Sequence, residues 1–359
     1  MKNVPLAAFL SCEGYKLTED EKRLFSKFIP AGITLFSRNI KDKIQLQNLI
    51  NEIKNIAGDD VLIAVDQEGG RVRRLKEPLY RKYASQWQIG SLNSQKAVKV
   101  AKLHAKLISQ DLRNVGIDIN FAPVLDIWHD CTTKALETRC FSNDVFKVAK
   151  LGKAMLKSYI KSAIIPCIKH IPGHGLAEVD PHLGLPVIKA KLDELQNEFY
   201  PFRQCSKAPM GMTAHIVLEA IDDKYPITLS KKGISEIIRG EIGFNGFLIS
   251  DAIDMHALCG TPSQKAQAAL SAGCDCVCYC FGNIGEMTEL CHNCPKMADN
   301  SLVRLDKAKQ ILHNKPECSD TDDAKIYAEL TGETAEYAVN YDATEVLNNM
   351  QRKKKCLHG

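Results

Sequence analysis

The chain has 359 residues, 45% hydrophobic and 25% charged, so it can bury a large core and has the makeup of an ordinary folded protein. Its 47 Lys and Arg against 43 Asp and Glu leave a formal charge of +4, too small to mark a nucleic-acid binder, and the basic run Arg352-Lys353-Lys354-Lys355 reads as a solvated tail. Fourteen cysteines exceed what stapling a chain of this size requires; they fit a reducing compartment, and the cytoplasm is the expected location.

In chain order, Lys2 followed by Val4 to Cys12 has the outline of a lipoprotein signal, but its apolar stretch is short and holds Pro5. We read Leu6 to Leu10 as a first strand instead. Thr18-Glu19-Asp20-Glu21 is a capping-box start for a first helix. Further apolar runs follow at Ile33 to Phe36, Val61 to Val65, Ile117 to Val124, Ile164 to Ile168, Gly211 to Ile216, Phe247 to Ile249 and Cys274 to Cys280. Amphipathic segments lie between most of them. Leu46, Leu49, Ile50, Ile53 and Ile56 keep helical spacing before Gly58, as do Val100, Leu103, Leu107, Leu112 and Val115 before Gly116. No stretch approaches the roughly 18 apolar residues of a membrane span, and no membrane partner is expected.

Eight runs alternating with helices predict an α/β fold, a (β/α)8 TIM-type barrel over residues 1–312, with residues 313–359 as a C-terminal helical extension and basic tail. The helical reading of the extension covers Asp322 to Met350. No glycine-rich dinucleotide fingerprint follows the first strand, which argues against a doubly wound sheet. We expect a monomer.

A barrel places its chemistry where strands end. Here those ends are polar: Asp66-Gln67-Glu68-Gly69-Gly70-Arg71 after the third run, Asp126 after the fourth, Lys169-His170 after the fifth, His215 after the sixth and Ser250-Asp251 after the seventh. The fifth opens into KHIPGHGLAEVDPHLGLP, residues 169–186. His170, His174 and His182 are zinc ligands by residue type, but Pro172-Gly173 prevents the one-faced helix that His-x3-His sites use, and no metal is expected. Cys274, Cys276, Cys278 and Cys280 would span about 20 Å along a strand, too far for one ion. Acid/base chemistry fits better: Asp180, two residues before His182, can orient its ring and raise its basicity. Asp251 suits a nucleophile at a strand end, with a capping carboxylate as the bland alternative.

Taken together, Val65-Asp66-Gln67-Glu68-Gly69-Gly70-Arg71-Val72, Phe121-Ala122-Pro123-Val124-Leu125-Asp126, Lys169-His170-x-Pro172-Gly173-His174-Gly175, Met212-Thr213-Ala214-His215 and Gly243-Phe244-x-Gly246 leading to Ser250-Asp251 resemble the family-three glycoside hydrolases. Within that family the resemblance is to the NagZ-type β-N-acetylglucosaminidases of bacterial peptidoglycan recycling, over about residues 5–285. It implies a cofactor-free retaining hydrolase that removes terminal β-linked GlcNAc from muropeptides. Asp251 would be the nucleophile, His182 the acid/base and Asp180 its partner, while Asp66, Arg74, Arg139, Lys169 and His170 would hold the sugar.

Three departures from the family pattern matter. Pro181 stands where the family has serine between Asp and His, which either preserves the dyad or misaims it. Ala252 replaces the carboxylate that usually follows the nucleophile, and the Arg139 segment lacks a glycine two residues before the arginine. Two other readings stay open: a phosphorylase, because an Asp-His donor repels phosphate less than a Glu donor would, and a sugar-binding protein that has lost turnover. The glycines at 173, 175 and 184 suggest a mobile loop.

Overall fold

The computed structural model describes residues 4–317 and 321–332. Among them, eight parallel strands close a barrel in sequential order: β1 Leu6–Ser11, β2 Pro30–Leu35, β3 Leu62–Val65, β4 Ile119–Asn120, β5 Ile165–Ile171, β6 Met210–Thr213, β7 Phe247–Ala252 and β8 Cys276–Cys278. Helices between and after them form the outer layer: α1 Glu19–Lys27, α2 Lys43–Ala57, α3 Ser94–Arg113, α4 Val145–Lys161, α5 Leu192–Gln204, α6 Gly233–Glu241, α7 Pro262–Ala272 and α8 Ile284–Asn293. The fold is the (β/α)8 barrel that the alternation predicts.

Local signals act where they stand in the chain. Thr18 and Glu21 form the reciprocal capping box of α1, and α2 stops at Gly58, whose φ of +97° suits glycine alone. Strands β1, β2 and β3 are buried along their whole length, as in a sheet covered on one face by helices and on the other by the barrel interior. Inside, large meets small: a Cβ on Gly32 would sit 2.2 Å from the Phe9 ring.

Two strands are much shorter than their apolar runs, and β6 ends at Thr213, three residues before its run does. The fourth leaves the ladder after Asn120, where Ala122 N–H turns back to the Asn120 carbonyl (2.8 Å), yet the segment stays beside β5 through Leu125 N–H donating to the Lys169 carbonyl (2.7 Å). The eighth spans only Cys276–Cys278. Cys280 has left it, and its sulfur lies 3.5 Å from that of Cys278. Cys274, Cys276, Cys278 and Cys280 are all buried, four small apolar residues in the barrel wall. Past β6, Val217–Leu218 pairs with Val187–Ile188 in a two-stranded sheet outside the barrel.

After α8 come α9 Asp299–Lys309 and α10 Thr321–Thr331, the latter packed on α3. The remainder of the helical reading to Met350, the basic run and Lys2 lie outside the described residues. No described helix is long and apolar enough to cross a membrane.

Candidate active site

The loop after β3 is held by its own side chains before it meets any ligand. The Gln67 amide oxygen accepts from Arg74 N–H (2.8 Å) and Leu75 N–H (3.0 Å), while Asn120 of β4 exchanges two hydrogen bonds with the Gln67 backbone (both 2.9 Å). Gly70 turns with φ of +59° so that its N–H reaches the Tyr83 carbonyl (2.9 Å). This folds Asp66, Glu68 and Arg74 into the barrel mouth.

Two carboxylates and three cations interlock there. Asp66 accepts from Lys169 Nζ (2.8 Å) and Arg74 Nη2 (3.3 Å); Glu68 takes Arg139 in a fork, at 2.9 and 2.8 Å, and also lies 2.6 Å from Lys169 Nζ. Lys169, Glu68 and Arg74 are 2% exposed, so each charge depends on its partners. Burial pushes Asp66 up, but Lys169 and Arg74 outweigh it and hold the carboxyl far below its usual range. Glu68 is likewise held down, by Arg139 and Lys169 against its burial, and both cations are raised in return. Asp66, Arg74, Arg139 and Lys169, four residues singled out in the sequence, thus form one network. Glu68, its centre, had no assigned role; three candidate cations beside the single carboxylate Asp66 was the available signal for a second.

Strand β5 presents His170 next to Lys169. His170 Nδ1 lies 2.7 Å from Asp126 Oδ2, and its backbone N–H reaches Asp126 Oδ1 (3.2 Å), which also accepts His174 N–H (2.8 Å). Asp126 therefore orients the ring and starts the following loop, a role the sequence reading left blank. Burial alone would raise its carboxyl, but His170 brings it below the usual value. His170 Nε2 then stands 3.9 Å from Asp251 Oδ2.

Asp251 closes β7, with Ala252 N–H donating to its Oδ1 (2.8 Å). Against burial, His170 and His215 and this N–H lower the carboxyl, so Asp251 is ionised and its geometry fixed. His215 supports it from behind: Nε2 lies 3.0 Å from the Ala252 carbonyl, which can only accept, so the ring donates there. A carboxylate absent at 252 reappears two residues on. Asp254 is buried, accepts Cys280 N–H (3.0 Å), and is pushed up to about 6 by burial. Between the ordinary carboxylate value near 4 and that value, the folded state binds a proton that the unfolded chain has lost, so stability falls as pH rises across this window. Asp254→Asn is therefore expected to gain about 2–3 kcal/mol in urea unfolding at pH 7.5 and none at pH 4; a pH-independent difference would contradict this.

The loop after β5 carries the dyad. Asp180 Oδ1 accepts both the His182 backbone N–H (2.9 Å) and a bond from Nδ1 (2.8 Å). That is an Asx turn, whose middle residue donates nothing, so Pro181 is compatible with it and its fixed φ suits the turn. The Asp180–His182 contact is thus made with proline at 181. Burial raises the Asp180 carboxyl, but His182 lowers it further. With Nδ1 committed, proton exchange with a substrate falls to Nε2. The loop rests on the one after β7, where Ala257 N–H donates to the Pro181 carbonyl (3.1 Å) and His256 bonds the His182 carbonyl (2.8 Å). Gly173 and Gly175 serve close packing: a Cβ on them would sit 2.8 Å from Glu198 Cβ and 2.0 Å from the Ile127 carbonyl.

Asp66, Glu68, Arg74, Arg139, Lys169, His170, Asp180, His182 and Asp251 all line one cavity that opens to solvent. Arg139 reaches it without the glycine the resemblance would place before it. No three His, Cys, Asp or Glu side chains among the described residues converge as a metal site; His170 and His182 go to different carboxylates. The arrangement can hold a polyhydroxylated ring against fixed charges, with an ionised carboxylate and an imidazole facing the same space.

The glycosyl hydrolase family 3 N-terminal domain model matches residues 4–306. A β-hexosaminidase of Bordetella avium is 34% identical over 312 residues, 84% of this chain and 84% of that protein. One from Chromobacterium violaceum is 37% identical over 303 residues, 81% and 80% of the two. Among solved structures, NagZ from Neisseria gonorrhoeae in complex with N-trifluoroacetyl-D-glucosamine aligns with a TM-score of 0.81 at 29% identity, covering 92% of this chain and 98% of that one.

Proposed function

Because the chain belongs to glycosyl hydrolase family 3, with β-hexosaminidases as its relatives, we propose that it is a retaining exo-β-N-acetylglucosaminidase acting through Asp251 and the His182–Asp180 dyad. The observation that carries this reading is the shared cavity: an ionised carboxylate and an oriented imidazole open on the space that Asp66, Arg74, Arg139, Lys169 and His170 line. Asp251 attacks the anomeric carbon as the bond to the leaving oxygen breaks, and His182 Nε2–H gives that oxygen a proton. Water then attacks the same carbon, loses a proton to His182, and releases Asp251. Asp180 stabilises the imidazolium at each stage. The substrate we assign is the GlcNAc-anhydroMurNAc-peptide class of muropeptides, in cytoplasmic cell-wall recycling. That assignment rests on the family resemblance.

The test is hydrolysis of p-nitrophenyl β-GlcNAc and β-glucoside, with and without phosphate, following the released sugar by NMR. Preferential turnover of the GlcNAc compound, with the β-anomer appearing first, is the expected result. An α-anomer overturns retention, a phosphate-dependent sugar phosphate moves the protein to phosphorolysis, and GlcNAc binding without turnover makes it a binding protein.

A further inference from the structure

Tyr327 lies on α10, beyond the residues that the family model matches. It is 5% exposed, and its hydroxyl accepts Ala84 N–H (3.0 Å) and lies 2.8 Å from Nδ1 of His104 on α3. His104 is fully buried, with Nε2 2.8 Å from the backbone carbonyl of Glu68. The proton positions in this chain follow from its ends. A backbone N–H only donates and a carbonyl only accepts, so His104 carries its proton on Nε2, and the Tyr327 O–H donates to Nδ1. Burial, which lowers the imidazole to about 4, keeps it neutral and compatible with that arrangement.

The three rings Tyr83, His104 and Tyr327 pack with centroids 5.4 to 6.0 Å apart, and Lys106 of α3 binds Asp323 of α10 at 2.7 Å. The loop after β3 is pressed onto this cluster. A Cβ on Gly69 would sit 2.4 Å from the Ala84 carbonyl and 2.7 Å from His104 Cε1. What the cluster holds is the backbone of Glu68, whose carboxylate sets Arg139 and Lys169.

We infer that Tyr327 and His104 are positioning residues for the sugar-holding face: Tyr327 of α10 holds the His104 ring at Nδ1, His104 holds the Glu68 backbone, and Glu68 fixes the two cations. The inference rests on the proposed sugar-binding role of that face. It makes α10 a working part of the barrel's site rather than an appendage to it.

Two readouts on the full chain test it, at temperatures well below each variant's melting point. Imidazole 15N NMR is expected to show His104 as the Nε2–H tautomer in the unmodified protein, with the Nδ1 resonance shifted in Tyr327→Phe, where that nitrogen no longer accepts a hydrogen bond. In p-nitrophenyl β-GlcNAc hydrolysis, Tyr327→Phe should raise KM about five- to tenfold, the size of one neutral hydrogen bond, with kcat within about threefold. His104→Gln keeps a donor near the Nε2 position and should recover most of the loss that His104→Asn shows. A lowered melting point with KM unchanged makes Tyr327 only a prop, and an Nδ1–H tautomer breaks the chain of assignment; either overturns the inference. If the unmodified protein neither binds GlcNAc nor turns it over, the functional reading fails, while the tautomer still decides the hydrogen-bond chain.

Discussion

Asp251→Ala is expected to lower kcat on p-nitrophenyl β-GlcNAc by about 10⁴-fold or more, equivalent to about 5.5 kcal/mol of barrier. The size follows from what is lost. No second carboxylate among the described residues can take its place at the end of β7: Asp254, three residues on, is buried and held by Cys280 N–H. The fold should survive, because His170 keeps its bonds to Asp126 and the Asp66–Lys169–Glu68 network is untouched. Binding of GlcNAc should therefore change only severalfold. Azide, small enough to enter the space vacated by the carboxylate, should restore turnover and yield the α-glycosyl azide, since it attacks from the face Asp251 occupied. A loss below tenfold would remove Asp251 from the nucleophile's place.

His182→Ala should have an effect that depends on the leaving group. For substrates with an alkoxide leaving group, such as a second sugar, the missing proton donor should cost about 10²- to 10⁴-fold. A nitrophenolate leaves without help, so the first step should stay fast and the second, which needs a base to activate water, should become limiting. The expected trace is a burst of about one equivalent of p-nitrophenol followed by slow turnover, with azide accelerating the slow phase. Equal losses for both substrate types and no burst would mean that His182 is not the acid/base. Asp180→Asn, which keeps the turn but not the charge, should show a smaller loss of the same pattern.

The order of strands and helices was readable because each βα unit is a local pattern: branched runs, amphipathic spacing, Thr18 and Gly58 at helix ends. Where the reading overshot, at β4, β6 and β8, ladder pairing decided the limits. Ala122 N–H turns back to Asn120, and Cys280 turns away to meet Asp254 and Arg38. The candidate residues were readable for a related reason: strand ends of a barrel converge, so polar residues that follow apolar runs meet at one mouth.

What the sequence by itself determined, then, was the barrel and the convergence of its strand ends, both of which depend on patterns within a few residues or on alternation along the chain. Only the tertiary structure decided the partners of buried charges. Glu68 with Arg139 and Lys169, Asp126 with His170, and Tyr327 with His104 join positions separated by 44 to 223 residues. A buried charge or imidazole takes whichever complementary group the packed core brings within hydrogen-bond reach, and separation along the chain says nothing about that distance.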